Sequence, residues 1–183
     1  MIKDIKDKYF KKVYLKQSNI SGTGLFAGEN IDKGEIILIF GGNLSFRQNR
    51  YTGKFLRSTC IGITEELILG ETEFSKKDLS DYINHSCNPN AGLEDSITLV
   101  AIKDIRINEE ILCDYAIWED EEEWLMKDYC QCGAQNCRHT ISGKDWKKIK
   151  STDFIFNFCS PFIQRRILNY EEAQSKYFNY GSI

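Results

Sequence analysis

The sequence predicts a mostly-β domain with short helices gathered toward its C-terminal end. Two observations carry this. Before Trp118, short apolar runs alternate with irregular turns and show little helical periodicity, whereas from Lys144 onward aromatic and aliphatic residues recur at near-helical spacing. The 183 residues hold only two prolines, Pro89 and Pro161, and no low-complexity linker, so the chain is sized for one domain with a small appendage. That length buries a working core without disulfide staples. A hydrophobic content of 42% argues against disorder.

Tyr9 to Leu15 suits a short strand, and Ser21-Gly22-Thr23-Gly24 is a glycine-rich turn leading into the apolar Leu25-Phe26-Ala27. Ile31-Asp32-Lys33-Gly34 turns into a strand over residues 35–40, which Gly41-Gly42 ends. Asn43 to Arg57 reads as a polar loop with one helical turn, Thr59 to Thr64 and Glu66 to Leu69 as short strands, and Gly70 to Ser80 as an exposed segment. Strands follow over Ile97 to Ile102 and Glu110 to Tyr115. Residues 31–36 and 105–111 echo one another as a turn feeding a strand, with Asn108 in the place of Gly34; both residue types tolerate positive φ. Asp145 reads as the N-cap of a helix reaching Ile149. Ser160-Pro161 supplies a second cap with proline at the first helical position, for a helix reaching Leu168 and continuing through residues 171–177.

Charge narrows the partners. The net charge of −3, with lysines scattered among acids, provides no basic field for direct nucleic-acid binding. No apolar run approaches a membrane span, and Met1 to Lys12 lacks the apolar core of a signal peptide. An intracellular, cytoplasmic protein acting as a monomer or weak dimer is therefore expected. Its richness in Ile, Lys and Asn suggests an AT-rich, bacterial-type genome, and a bacterial effector would extend the location to a host nucleus. The acidic run Glu119 to Glu123 reads as a solvated helix face or first turn; its second reading is an electrostatic guide for a basic substrate.

Seven cysteines in such a chain point to metal or redox use. Cys130, Cys132 and Cys137 form a C-x-C-x4-C cluster, one ligand short of a closed tetrahedral zinc site, and Cys87 is the candidate fourth. His139 is the rival, tightly placed two residues beyond Cys137. Four sulfur ligands leave no open position, so the metal is structural. Cys60, Cys113 and Cys159 read as small buried hydrophobes. The turn Gly22-Thr23-Gly24 is too short for a dinucleotide fingerprint, although glycine permits close backbone approach to a ligand. Read singly, the run Asn84-His85-Ser86-Cys87-Asn88-Pro89-Asn90 is a turn capped by Pro89, and Asp114-Tyr115 is a strand end.

Taken in order, four blocks resemble the SET-domain protein lysine methyltransferases: residues 21–27, residues 84–90, Glu109-Glu110-Ile111-Leu112-Cys113-Asp114-Tyr115, and the cluster of Cys130, Cys132 and Cys137. The resemblance covers roughly residues 10 to 140 and is most specific in the second and fourth blocks. It implies a SET β-fold with a pseudoknot, a post-SET zinc knuckle, and a helical tail like that of compact bacterial SET proteins. The implied division is 1–118 for the SET domain with a variable insert at 43–80, 119–143 for the post-SET segment, and 144–183 for the extension. S-adenosylmethionine, leaving as S-adenosylhomocysteine, would lie against Gly22, Thr23, Gly24 and Leu25, with Tyr82, Asn84 and His85 as further contacts. Tyr115 would stand at the methyl-transfer centre, and Zn2+ would sit on Cys87, Cys130, Cys132 and Cys137. The implied substrate is a basic protein, a histone tail or another lysine-rich chain. The alternative is a non-catalytic SET-like zinc module that binds such a partner.

The pattern departs at three places: Asp81 stands where an arginine is usual, Asn108 where a glycine is usual, and Cys113 where Phe or Tyr is usual. The small Cys113 either leaves room for di- or trimethylation or is simple packing. Trp146 either covers a channel or anchors the tail, and Tyr51 and Trp118 are aromatic candidates for a lysine channel.

Overall fold

A computed structural model describes residues 6–51, 60–72 and 77–180; readings that fall on residues 52–59 or 73–76, and the side chain of Tyr51, lie outside the described residues. Eleven short strands are described: β1 (Lys8–Tyr9), β2 (Val13–Gln17), β3 (Thr23–Ala27), β4 (Ile36–Ile39), β5 (Asn43–Phe46), β6 (Ile61–Gly62), β7 (Leu67–Gly70), β8 (Asn84–His85), β9 (Ala91–Leu93), β10 (Thr98–Ala101) and β11 (Leu112–Cys113). They form a six-stranded sheet in the order β1-β4-β10-β9-β11-β8, a β2-β3 hairpin, and a three-stranded sheet β5-β7-β6. One α-helix, α1 (Pro161–Tyr180), follows.

Burial explains the layout. All four residues of β10 are buried, which suits a strand flanked by β4 and β9. The hairpin pairs Val13 with Ala27 through Gln17 with Thr23, and Gly22 closes it at φ 47, a region that L side chains rarely adopt. The echoed turns at Gly34 (φ 90) and Asn108 (φ 68) both take left-handed backbone. The two echoes also pair with each other, through Ile31 N–H to Ile105 O at 2.9 Å and Ile105 N–H to Ile31 O at 2.8 Å. The main core joins β3, β4, β9, β10 and β11 to Trp146, Ile149, Phe162, Ile163 and Ile167 of the C-terminal segment.

Several expectations are corrected. Tyr9 to Leu15 is split, because Phe10 and Lys11 both turn their N–H groups to Ile37 O. Asn43–Phe46 is a strand rather than loop, and β9, an Ala-Gly-Leu run, has too little β signal to be read in advance. Glu71, expected to be exposed, is buried. The run ending at Tyr115 stops at Cys113, because the Asp114 side chain caps a 3-10 turn over Tyr115–Ile117. The second tail helix does continue past Leu168 as expected, running unbroken over Pro161–Tyr180, and Ser160 Oγ accepts from Ile163 N–H at its start, as expected of the cap. Asp145 is no N-cap. It is fully buried inside a 3-10 turn and pairs with Lys148 Nζ at 2.9 Å and Arg138 Nε at 3.0 Å.

The acidic run is likewise not a solvated face at its start. Glu119 and Asp120 are buried, whereas Glu122 and Glu123 are exposed. Glu119 Oε2 meets Arg50 Nη2 at 2.8 Å, and Arg50 is itself only 2% exposed. Asp120 receives Arg47 Nη1 at 2.8 Å on one oxygen and Arg166 of α1 on the other. The 3-10 turn Arg47–Tyr51 is thereby tied to α1 through a single carboxylate. Removing one partner of a buried pair strands the other charge. Arg50→Ala is therefore expected to destabilise the fold by ~3–5 kcal/mol in urea unfolding; a change below ~1 kcal/mol, typical of exposed pairs, would contradict this burial.

Candidate active site

The site begins where β8 lies parallel to β11, with Asn84 opposite Leu112 and His85 opposite Cys113. Side chains of the 84–90 run hold it there. Asn90 takes the Leu112 N–H on Oδ1 at 2.8 Å and donates from Nδ2 to Glu110 O at 2.8 Å, while Ser86 N–H reaches Cys113 O at 2.9 Å. Asn84 Nδ2 donates to Ser21 O at 2.9 Å and to Glu110 Oε1 at 2.8 Å. The other oxygen of Glu110 accepts from Ser18 Oγ at 2.8 Å. A Cβ at Gly24 would fall on the Glu110 carboxylate, so a larger residue there would displace this network.

His85 is buried, and desolvation lowers its pKa to about 4. It is therefore neutral near pH 7, and its Nδ1 accepts the Tyr115 N–H at 3.2 Å. That fixes the tautomer: the proton is on Nε2, which faces Cys87 Sγ at 3.3 Å. The Tyr115 ring packs against His85, Trp118 and Trp124 with centroids 5.1, 5.9 and 6.1 Å away. Its hydroxyl donates to Ile83 O at 2.9 Å, and burial holds the phenol well above its ordinary pKa, hence protonated.

Two cavities meet at this tyrosine. One, of about 220 Å³, has Phe40, Trp118 and Trp124 in its wall together with the carboxylates of Asp81, Glu71 and Glu119. The other, of about 370 Å³, is lined by Ile20, Ser21, Asn84, His85 and residues 126–131. Among the described wall residues, Tyr115 alone belongs to both. Asp81 is pushed up to about 6, chiefly by burial and further by the neighbouring carboxylates of Glu71 and Asp7, against the opposing hydrogen bond from the Asp78 backbone.

Beside the second cavity, the Sγ atoms of Cys87, Cys130, Cys132 and Cys137 all lie within 4.8 Å of one another. Four sulfurs around a zinc at ~2.3 Å stand ~3.8 Å apart, so the set fits a tetrahedral ion after a small contraction. The Cys87 N–H points at Cys132 Sγ (3.5 Å) and the Arg138 N–H at Cys87 Sγ (3.3 Å), donors that suit thiolates. Although burial opposes it, such N–H bonds help draw the Cys132 thiol down to about 6. His139 is not in the group; it takes left-handed backbone at φ 61.

Asn84, His85, Tyr115 and the four cysteines are thus brought together. Of the first block, Ser21 stands with Ile20 in the wall of the second cavity, Gly22, Thr23 and Gly24 are not among the described wall residues, and Leu25 is fully buried in the main core. Tyr82 is half-buried with the Lys77 ammonium 5.6 Å from its ring centroid, and is in neither described wall. Cys113, Cys159 and Trp146 are packed in the main core. Cys60 is buried too, but in the wall of the first cavity. Trp118 lines that cavity. Sequence reasoning missed Ser18, Glu110, Trp124 and Arg138. Arg138 carried one signal, its place directly after the third clustered cysteine.

Residues 22–116 match the family described as SET domain. The chain is 32% identical over 149 residues to the histone-lysine N-methyltransferase trr of Drosophila melanogaster, covering 74% of this chain and 6% of that protein. It is 28% identical over 170 residues to the histone-lysine N-methyltransferase ASHH3 of Arabidopsis thaliana, covering 85% of this chain and 45% of that one. The chain therefore spans less than half the length of either relative. In structure it resembles a chain of the crystallised polycomb repressive complex 2 of Chaetomium thermophilum, with TM-score 0.50 and 26% identity over 57% of this chain and 15% of that chain. The protein belongs to the SET domain family. Among the described residues no helix is long and apolar enough to cross a membrane.

An acid whose folded pKa exceeds its unfolded value favours the fold below the unfolded pKa and loses that contribution as pH rises through the folded one. For Asp81 the loss runs from the ordinary 3.8 to about 6. Asp81→Asn keeps an acceptor for the Asp78 N–H and should raise the melting temperature relative to the parent progressively across that interval, then hold the gain to pH 8. A difference that does not change with pH would contradict the buried, ionising Asp81.

Proposed function

We propose that this domain transfers methyl groups from S-adenosylmethionine to the ε-amino group of lysine in a protein substrate. The observation that carries the reading is the position of Tyr115 as the shared wall of two cavities of different character. The cavity of Asn84 and His85 is the cofactor side, and the aromatic cavity of Phe40, Trp118 and Trp124 is the lysine side. Bound there, S-adenosylmethionine supplies a methyl carbon activated by its sulfonium.

The chain's own residues do the rest. A free lysine, with a pKa of about 10.4, is almost wholly protonated near neutrality and cannot attack. The carboxylates of Asp81 and Glu71 and the aromatic faces favour entry of the cation, desolvation in the cavity opposes its charge, and the lysine becomes a nucleophile once its proton has left to solvent. Tyr115 directs its hydroxyl proton to Ile83 O, which leaves the oxygen lone pairs free to orient a polarised methyl through weak C–H···O contacts. Held neutral by burial, the phenol does not compete as a nucleophile. Most of the acceleration then comes from positioning.

Zn2+ on Cys87, Cys130, Cys132 and Cys137 is structural in this reading, closing residues 126–131 over the cofactor side. The substrate class is a histone tail or another lysine-rich protein, in keeping with the names of the relatives. The protein would act inside the cell as a monomer or weak dimer without direct nucleic-acid contact. Residues 1–118 would form the catalytic SET unit, 119–143 the zinc segment and 144–183 a supporting extension.

Incorporation of labelled methyl from S-adenosylmethionine into lysine-rich proteins tests the reading. Tyr115→Phe is expected to lower the rate about a hundredfold while S-adenosylhomocysteine still binds. Equal incorporation by both proteins would remove Tyr115 from the chemistry. Cofactor binding without any transfer by the wild type would favour a non-catalytic module.

A further inference from the structure

Tyr115 sits on a turn of three residues, too short to hold its own geometry. Its N–H goes to His85 Nδ1 at 3.2 Å, and the turn is capped from the preceding residue by Asp114 Oδ1, which accepts from Ala116 N–H at 3.0 Å. The orientation of the tyrosine therefore depends on where the Asp114 carboxylate is fixed. Asp114 is buried, and Arg138 closes both of its oxygens: Nη1 to Oδ2 at 2.9 Å and Nη2 to Oδ1 at 2.6 Å.

Arg138 immediately follows Cys137. Its backbone N–H points at Cys87 Sγ, and its Nε faces the fully buried Asp145. With the His85 Nε2 contact to Cys87 Sγ, a ring closes through Cys87, His85, Tyr115, Asp114 and Arg138. The planar fork grips both oxygens of Asp114 while keeping its Nε at ion-pair distance from Asp145; a lysine is a single point charge and cannot make the paired bonds.

We propose that Arg138 is a positioning residue for Tyr115, tying the turn that carries it to the sulfur cluster. The proposal rests on the reading of Tyr115 as the transfer residue, and one arm of its test is independent of turnover. Arg138 is not among the described wall residues of either cavity, and its side chain reaches the turn of Tyr115 through Asp114.

The test is Arg138→Lys in protein loaded with Zn2+. Zinc content by elemental analysis and S-adenosylhomocysteine affinity by calorimetry should stay at wild-type levels. The kcat should fall about tenfold or more with KM for S-adenosylmethionine little changed, the signature of an interaction acting on the reacting geometry rather than on binding. In the same protein, hydrogen exchange at the Tyr115 and Ala116 amides should accelerate. Wild-type exchange at both amides would overturn the proposal, whether or not the domain transfers methyl groups. Loss of zinc together with activity would also overturn it, by assigning Arg138 to the metal site. If Arg138→Lys does not fold, Asp114→Asn preserves the Ala116 cap acceptor while removing the charge that Arg138 grips. It is then expected to show the same split and the same faster exchange, and wild-type values in both would overturn the proposal.

Discussion

The parallel pairing of β8 with β11 is the constraint on which the rest depends. Parallel neighbours cannot be joined by a tight turn. The chain between His85 and Leu112 therefore leaves, builds β9 and β10, and returns. Two strands of two residues each cannot hold such a closure by ladder bonds alone. Asn84 and Asn90 add side-chain amides that bond like backbone, and Glu110 is where their bonds converge, on its side chain and its carbonyl. Because His85 lies in this pairing and Cys87 two residues beyond it, both the hydrogen-bond acceptor for the Tyr115 N–H and one member of the four-cysteine cluster are set by the same closure.

Charge is used internally to join segments far apart in sequence. Arg50 meets Glu119, Arg47 and Arg166 share Asp120, and Arg138 bridges Asp114 and Asp145. Each of these carboxylates is buried, so their value lies less in net stability than in the cost of any arrangement that leaves one unpaired. The outcome is directional. The 3-10 turn of Arg47 and Arg50, Arg138 beside the cysteine cluster, and Arg166 of α1 all reach residues 114–120 through their guanidinium groups, and that short stretch carries the turn of Tyr115.

How much of this was legible in the sequence follows from the range of each signal. The cysteine spacing, the 84–90 run and the strands of β4 and β10 are local patterns, and they were readable. The echo of Gly34 in Asn108 was readable because positive φ selects residue type. Glu119 and Asp120 were misread because their arginine partners lie 46 to 73 residues away, and nothing local distinguishes a buried acid with a distant arginine from a solvated one. The first block reaches the wall of the second cavity at Ser21, whereas Gly24 lies against Glu110 and Leu25 serves the core. β9 and the 3-10 turns fall below the length at which periodicity carries information.

At the centre of this account, the sulfur cluster holds residues 126–131, Cys130 among them, as one wall of the cavity that Asn84, His85 and Tyr115 share. Calorimetric titration of S-adenosylhomocysteine into zinc-loaded protein, and into the same protein after chelation, tests it most directly. The account requires that chelation abolish binding while the far-ultraviolet spectrum of the β-sheet core persists. Equal affinity with and without the metal would contradict it.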